Sequence, residues 1–156
     1  MTPARILIVA GSDSGGSAGI KADIKTVTAL GGYAMTAVTA LTAQNTLGVQ
    51  AVETGPAAFV GTQMACVLDD IGADCIKTGM LHEPAIIDVV ARMIDEKAPA
   101  AGLVVDPVMV AQSGDRLVSD AALAHLRDVL NPKATLITPN LPEAEALLGT
   151  SIPDAD

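Results

Sequence analysis

Short apolar runs alternate along the chain with longer stretches in which apolar residues recur every three or four positions. The runs are "ILIVAG" (6–11), "CIKTGM" (75–80), "LVVDPVM" (103–109) and "TLITPN" (135–140). They read as strands buried on both faces, as in a parallel sheet. Between them, Val60, Met64, Val67 and Ile71 recur within 57–71 at the spacing of one helix face. Pro84 opens a further helix, where Ile86, Val90, Met93 and Ile94 share a side. Ser119 is a natural N-cap before Leu123, Leu126 and Leu130, and Asn131-Pro132 is expected to end that helix.

One segment breaks the rhythm. Residues 34–53 alternate apolar and small polar residues, which predicts two strands with Asn45 to Gly48 at the bend. Strands alternating with helices predict an α/β fold, a doubly wound and mostly parallel sheet flanked by helices. Ligands of such sheets bind beyond the carboxyl ends of the strands. Gly11, Gly79, Asp106 and Asn140 each fall at such an end, so four loops converge on one rim.

Composition narrows the partners. The 156 residues are half apolar, and Tyr33 and Phe59 are the only aromatic residues, so aliphatic packing must dominate the core. Nine basic and 18 acidic side chains leave a formal charge of −9 with no basic patch. Nucleic acid is therefore not an expected partner, since it requires clustered Lys and Arg. No apolar run reaches the ~18 residues of a membrane span and no signal-like start is present. No membrane partner is expected, and the expected location is the cytoplasm. Cys66 and Cys75 sit among apolar residues and read as buried, reduced thiols.

The chemistry concentrates at the rim. "VAGSDSGGSAGIKAD" (9–23) is a Gly- and Ser-rich turn between a strand and a helix, as expected where backbone approaches a ligand. It fits neither the dinucleotide fingerprint nor the P-loop: Ser17 and Ala18 stand where a P-loop requires Lys and Ser or Thr. Asp23, about one turn into the following helix, can face back over this loop as an acceptor. Gln44, beside a turn, carries an amide that can read a donor and an acceptor on one ring; capping the turn is its plainer role. Met80 follows Gly79 on the rim as a soft apolar wall or as ordinary core. Asp106 can hold a cation, orient a hydroxyl, or close an Asx-turn. Asn140 and Glu143 suit a capping box at a helix start, and the same acidic group can organise phosphate-bound Mg²⁺, directly or through water.

In order along the chain, "AGSDSGGSAGIKADIKT", "TALTAQNT", "KTGML", "VVDPVM", "SGD" (113–115) and "LITPNLPEA" resemble the hydroxymethylpyrimidine/phosphomethylpyrimidine kinases of thiamine biosynthesis, in the ribokinase-like superfamily. The resemblance implies transfer of the ATP γ-phosphoryl group, with Mg²⁺, to 4-amino-5-hydroxymethyl-2-methylpyrimidine and then to its monophosphate. It implies that the Gly11–Gly19 loop walls the pyrimidine pocket and that Gln44 reads the ring. It also implies that Asp23 is a polar partner of the substrate and that Met80 and Val108 line the pocket. Asp106, Asn140 and Glu143 then fall on the ATP and Mg²⁺ side, with Glu143 toward the metal. Ser17 departs from the family pattern, where many relatives carry glycine, and its side chain is expected to narrow the loop.

Family members continue well beyond Asp156. Residues 1–156 are thus expected to form the N-terminal part of a single ribokinase-like kinase domain. The catalytic group and the anion hole are expected past Asp156, and the full-length protein is expected to be a homodimer. The chain alone is expected to lack turnover and to leave an apolar sheet edge near Thr135 to Thr138. A non-catalytic pyrimidine-binding module and a related vitamer kinase, such as a pyridoxal kinase, remain as alternatives.

Overall fold

The computed structural model describes residues 2–110 and 118–153; the "SGD" segment lies outside the described residues. Six strands form one sheet: β1 (Arg5–Asp13), β2 (Tyr33–Asn45), β3 (Gly48–Thr54), β4 (Cys75–Thr78), β5 (Gly102–Val105) and β6 (Leu136–Ile137). Their order is β3-β2-β1-β4-β5-β6. All neighbours are parallel except β2 and β3, the expected hairpin. Two helices follow the expected boundaries closely, α2 (Ala57–Asp70) and α3 (Pro84–Lys97), while α1 spans Gly19–Ala29, α4 Asp120–His125 and α5 Leu141–Leu148.

Side-chain alternation along the inner strands divides the core. Leu7, Val9, Ile76, Leu103 and Val105 point to one face, where they join Val60, Met64, Leu68, Ile86, Val90 and Leu130 in a large cluster. Ile8 and Ala10 point to the other and meet Ile20 on α1. The face of Leu7 is thus covered by α2 and α3, whereas on the α1 face Cys75, Lys77, Gly102 and Val104 are half-buried. The expectation of strands buried on both faces therefore holds for the middle of β1 but not for β4, β5 or β6.

Three local expectations are corrected. The buried stripe of α2 is Val60, Gly61, Met64 and Leu68, while Val67 and Ile71 are half-buried beside it. The stripe therefore follows a different row of the helix. Cys66 falls on the outward side and is exposed, and Cys75 is half-buried; both thiols are free. Asn131-Pro132 does not stop the third helix sharply. The chain widens to a π turn over Leu126–Leu130 and tightens into a 3₁₀ turn over Asn131–Lys133. Proline is accommodated at the start of that last turn, where its missing N–H is not needed. The Ser119 cap is present, its hydroxyl accepting from Ala122 N at 3.2 Å.

Strand order reverses at β1, whose neighbours are β2 on one side and β4 on the other. The carboxyl ends of β1 and β4 therefore open a crevice at the switch point, the usual ligand position of such sheets. At the far edge, two-residue β6 carries Leu136, 54% exposed, at the predicted apolar margin.

Candidate functional site

A cavity of about 330 Å³ opens at this switch point, lined by Gly11, Asp13, Ser17, Ala18, Gly19, Ala22, Asp23, Thr42, Gln44, Lys77, Gly79, Met80, Asp106, Val108 and Val110. Six of the residues singled out from sequence meet here: Gly11, Asp23, Gln44, Met80, Asp106 and Val108. Asn140 and Glu143 are not among its lining residues.

Gly11 packs closely against the flexible end of Met80. A Cβ there would lie 2.6 Å from Met80 Cε, so the glycine lets the methionine methyl close over β1. Met80 is buried, and its carbonyl accepts from the Thr39 hydroxyl at 2.7 Å. Opposite Gly11, β2 carries an extra residue between the pairs Ala10–Val38 and Ser12–Leu41. Such a bulge bends the strand and redirects the side chains beyond it.

The loop after β1 is organised by Asp13, which sequence reasoning passed over. Asp13 is 3% exposed. It accepts from Gly15 N (2.7 Å), Ser17 N (2.9 Å), Ala18 N (2.9 Å) and the Ser17 hydroxyl (3.1 Å). Burial pushes this carboxyl up, but the backbone N–H groups of Gly15, Ser17 and Ala18, with the Ser17 hydroxyl, outweigh it and hold it below the usual range. The Ser17 side chain is thus turned onto Asp13. The signal available in sequence was an Asp followed at once by Ser-Gly-Gly-Ser, the pattern of a side chain capping its own turn. Gly19, where α1 begins, has φ +55°, and a Cβ there would collide with the Gly11 carbonyl oxygen.

Gln44 stands at a second irregularity, where pairing slips between Ala43–Ala51 and Gln44–Val49. Its Oε1 accepts from the Thr42 hydroxyl at 3.0 Å, a proton that the Ser12 carbonyl at 3.3 Å also competes for. Its backbone is tied to the glycine loop: Ser14 Oγ donates to Gln44 O (2.7 Å) and accepts from Gln44 N (2.8 Å). The amide that sequence assigned to ring reading is therefore pre-oriented by Thr42, which was not singled out.

Lys77, the first residue of "KTGML", is a further site residue that the sequence did not mark out. Its ammonium lies 2.9 Å from Asp23 Oδ2 and 3.1 Å from Asp106 Oδ2. Among the described residues, three carboxylates and this one ammonium line the cavity. Asp106 directly follows β5, its N–H bonded to Thr78 O at 3.0 Å, and Pro107 comes next, unable to continue the ladder.

Asn140 and Glu143 form the predicted capping box at the start of α5. Asn140 N donates to Glu143 Oε2 at 3.0 Å, and Glu143 N donates to Asn140 Oδ1 at 2.9 Å. Glu143 is buried. No cluster of three or more His, Cys, Asp or Glu suited to a metal occurs among the described residues, and no helix among them is long and apolar enough to cross a membrane.

Comparison with known proteins identifies the family and the fold. Residues 13–156 match the family described as phosphomethylpyrimidine kinase. The hydroxymethylpyrimidine/phosphomethylpyrimidine kinase of Mycobacterium leprae is 48% identical over 155 residues, which are 99% of this chain and 56% of that protein. A crystal structure of phosphomethylpyrimidine kinase from Clostridium difficile 630 matches with a TM-score of 0.90 at 43% identity, over 97% of this chain and 65% of that one. A pyridoxal kinase from Staphylococcus aureus, in complex with pyridoxal, matches with a TM-score of 0.88 at 34% identity, over 99% of this chain and 55% of that one. The chain spans little more than half the length of the Mycobacterium leprae protein. With its ribokinase-like sheet, its loop after β1 and the match over nearly its whole length, the chain belongs to the phosphomethylpyrimidine kinase family.

Proposed function

We propose that this chain provides the substrate pocket of an ATP-dependent kinase acting on 4-amino-5-hydroxymethyl-2-methylpyrimidine and its monophosphate. The observation that carries the reading is the Gln44 amide, braced by Thr42 on the wall of a cavity with room for one small ring. An amide in that position offers a donor beside an acceptor, the pattern that an aminopyrimidine edge complements. Met80 and Val108 supply apolar contact to the ring faces, and Asp23 supplies an acceptor on the α1 side.

Among the described residues, no side chain of the pocket is an activated nucleophile, and in this reading none is needed. Phosphoryl transfer depends on positioning and charge stabilisation rather than on covalent chemistry by the protein. The residues of this chain bind and orient the pyrimidine, and the Gly-rich loop screens it from water. Mg²⁺ suits the carboxylates available, Asp106 at the end of β5 and Glu143 at the start of α5, since it takes one or two carboxylates together with phosphate oxygens. When bound, it neutralises charge on the phosphoryl oxygens. The phosphoryl-stabilising and hydroxyl-activating groups are proposed to lie in sequence beyond residues 1–156. The chain is then the N-terminal part of one kinase domain, cytoplasmic and homodimeric when full length.

The likeness to the pyridoxal kinase favours a second reading, a related vitamer as substrate. Calorimetric titration of the chain with the pyrimidine alcohol and with pyridoxal separates the two. A coupled ADP-release assay, with and without any in-frame sequence downstream of Asp156, tests transfer. Gln44→Leu is expected to weaken pyrimidine binding by about 5- to 150-fold, the effect of roughly 1–3 kcal/mol for unpaired polar groups. Unchanged affinity in that variant removes Gln44 from the site, and tighter binding of pyridoxal overturns the pyrimidine assignment.

A further inference from the structure

Lys77 occupies an unusual place for a lysine. It is on β4, between β1 and β5, paired in register with Ile8 on one side and Val104 on the other. Lysine is seldom found in the interior of a sheet unless its charge is matched. Here it is matched twice. Asp23 reaches it from α1 and Asp106 from the end of β5, two elements that approach each other only across the sheet. The side chains of the three residues are 22, 23 and 32% exposed, against 40 and 48% for the Arg5–Asp74 surface pair. The facing carboxylate oxygens lie within 2.9 and 3.1 Å of one nitrogen, so they are at most 6.0 Å apart. Like charges that close repel strongly without a cation between them. Gly79 lies beside the Lys77 ammonium: a Cβ there would press on Ala10 Cβ at 3.1 Å but only touch Lys77 Nζ at 3.5 Å, an ordinary contact.

We infer that Lys77 is the positioning residue of this pocket, its ammonium fixing Asp23 and Asp106 in one arrangement. The inference rests on the pyrimidine-kinase reading for what the two carboxylates do, Asp23 toward the substrate and Asp106 toward the Mg²⁺·ATP side. One residue then sets the geometry of both sides at once. In this role Lys77 acts through its two carboxylate partners.

The test is a set of double-mutant cycles on the chain with any in-frame downstream sequence, using the pyrimidine alcohol as titrant in calorimetry. Lys77→Met is expected to lose roughly 10-fold or more in affinity, as does Asp23→Asn, and Lys77→Arg is expected to recover most of the loss. The double variant Lys77→Met/Asp23→Asn is expected to bind no worse than Asp23→Asn alone, because the lysine works through that carboxylate. Additive losses, or a Lys77→Met variant with wild-type affinity, overturn the inference. If Lys77→Met does not fold, the cycle of Asp23→Asn with Asp106→Asn replaces it: a shared ammonium predicts non-additive losses, and additive ones refute it. Should the wild-type protein bind no pyrimidine, the substrate reading fails separately. The clamp is then judged on melting temperature, where coupling among the three positions supports it and its absence refutes it.

Discussion

Replacing Asp13 by asparagine keeps the size of the side chain and removes its charge. In the wild-type loop one carboxylate oxygen accepts from Gly15 N, and the other accepts from Ser17 N, Ser17 Oγ and Ala18 N. An asparagine can turn its single oxygen to the side with three donors, but its amide N–H groups then face the Gly15 N–H. One bond is lost outright and three fall from charged to neutral acceptors. Bonds to a charged group contribute about 1.5–3 kcal/mol and neutral ones about 0.5–1.5 kcal/mol. Because the four share one acceptor group they do not add fully, and a net loss of about 2–4 kcal/mol is expected. For a domain of this size that is roughly 5–15 °C in melting temperature.

The same variant has a pH signature. The Asp13 carboxyl is held below its ordinary range in the folded protein, so it binds protons less readily there than when unfolded. Its contribution is complete above the unfolded value of about 3.9 and is lost as pH falls through the lower folded value. Asp74, held by hydrogen bonds from Arg5 at about 2, titrates in the same window with the same sign. The informative quantity is therefore the difference between wild type and Asp13→Asn. Urea unfolding followed by circular dichroism between pH 7 and the acid limit of folding measures it. The gap should be widest at neutral pH and close as the wild-type carboxylate protonates. A gap under about 0.5 kcal/mol at pH 7, or one that does not narrow in acid, refutes the role given to Asp13.

Gly19→Ala should cost at least about 2 kcal/mol and also weaken pyrimidine binding, because both the left-handed backbone and the Gly11 carbonyl oppose a Cβ. Gly31→Ala is its control, with φ +78° but open space around it, and equal losses in chemical denaturation would sink the clash argument. Thr78→Val should raise the melting temperature, since the buried Thr78 hydroxyl has no hydrogen-bond partner among the described residues, and a methyl of similar shape removes roughly 1 kcal/mol or more of desolvation cost. A lowered melting temperature refutes this. Glu143→Gln keeps a side chain able to complete the capping box but removes the charge, so a metal role predicts near-normal melting with a raised Mg²⁺ requirement in the ADP-release assay. Unchanged Mg²⁺ dependence leaves Glu143 as a helix cap alone.

Features that rest on near neighbours along the chain are legible in the sequence itself. Pro84 at the start of α3, the Asn140–Glu143 capping box, the Ser119 cap and the 34–53 hairpin each involve residues a few positions apart. The apolar runs likewise marked the strands of a parallel sheet, although only β1 has a stretch buried on both faces, β4 and β5 being half-buried on the α1 side. Of the four rim residues expected from the strand ends, Gly11, Gly79 and Asp106 line the cavity and Asn140 does not, while Asp23, Gln44, Met80 and Val108 were placed there by the family resemblance. What the chain alone could not show was which side chains meet across the sheet. Lys77 is 54 residues from Asp23 in sequence, and only the placement of β4 between β1 and β5 makes them partners. Ser14 is bonded to the Gln44 backbone, 30 residues along the chain, only because β1 and β2 lie side by side. The exposure of Cys66 turned on which row of α2 the core accepts. Local pattern sets which face of an element is apolar, whereas burial, charge pairing and side-chain aim depend on distances between elements, and those exist only once the sheet is assembled.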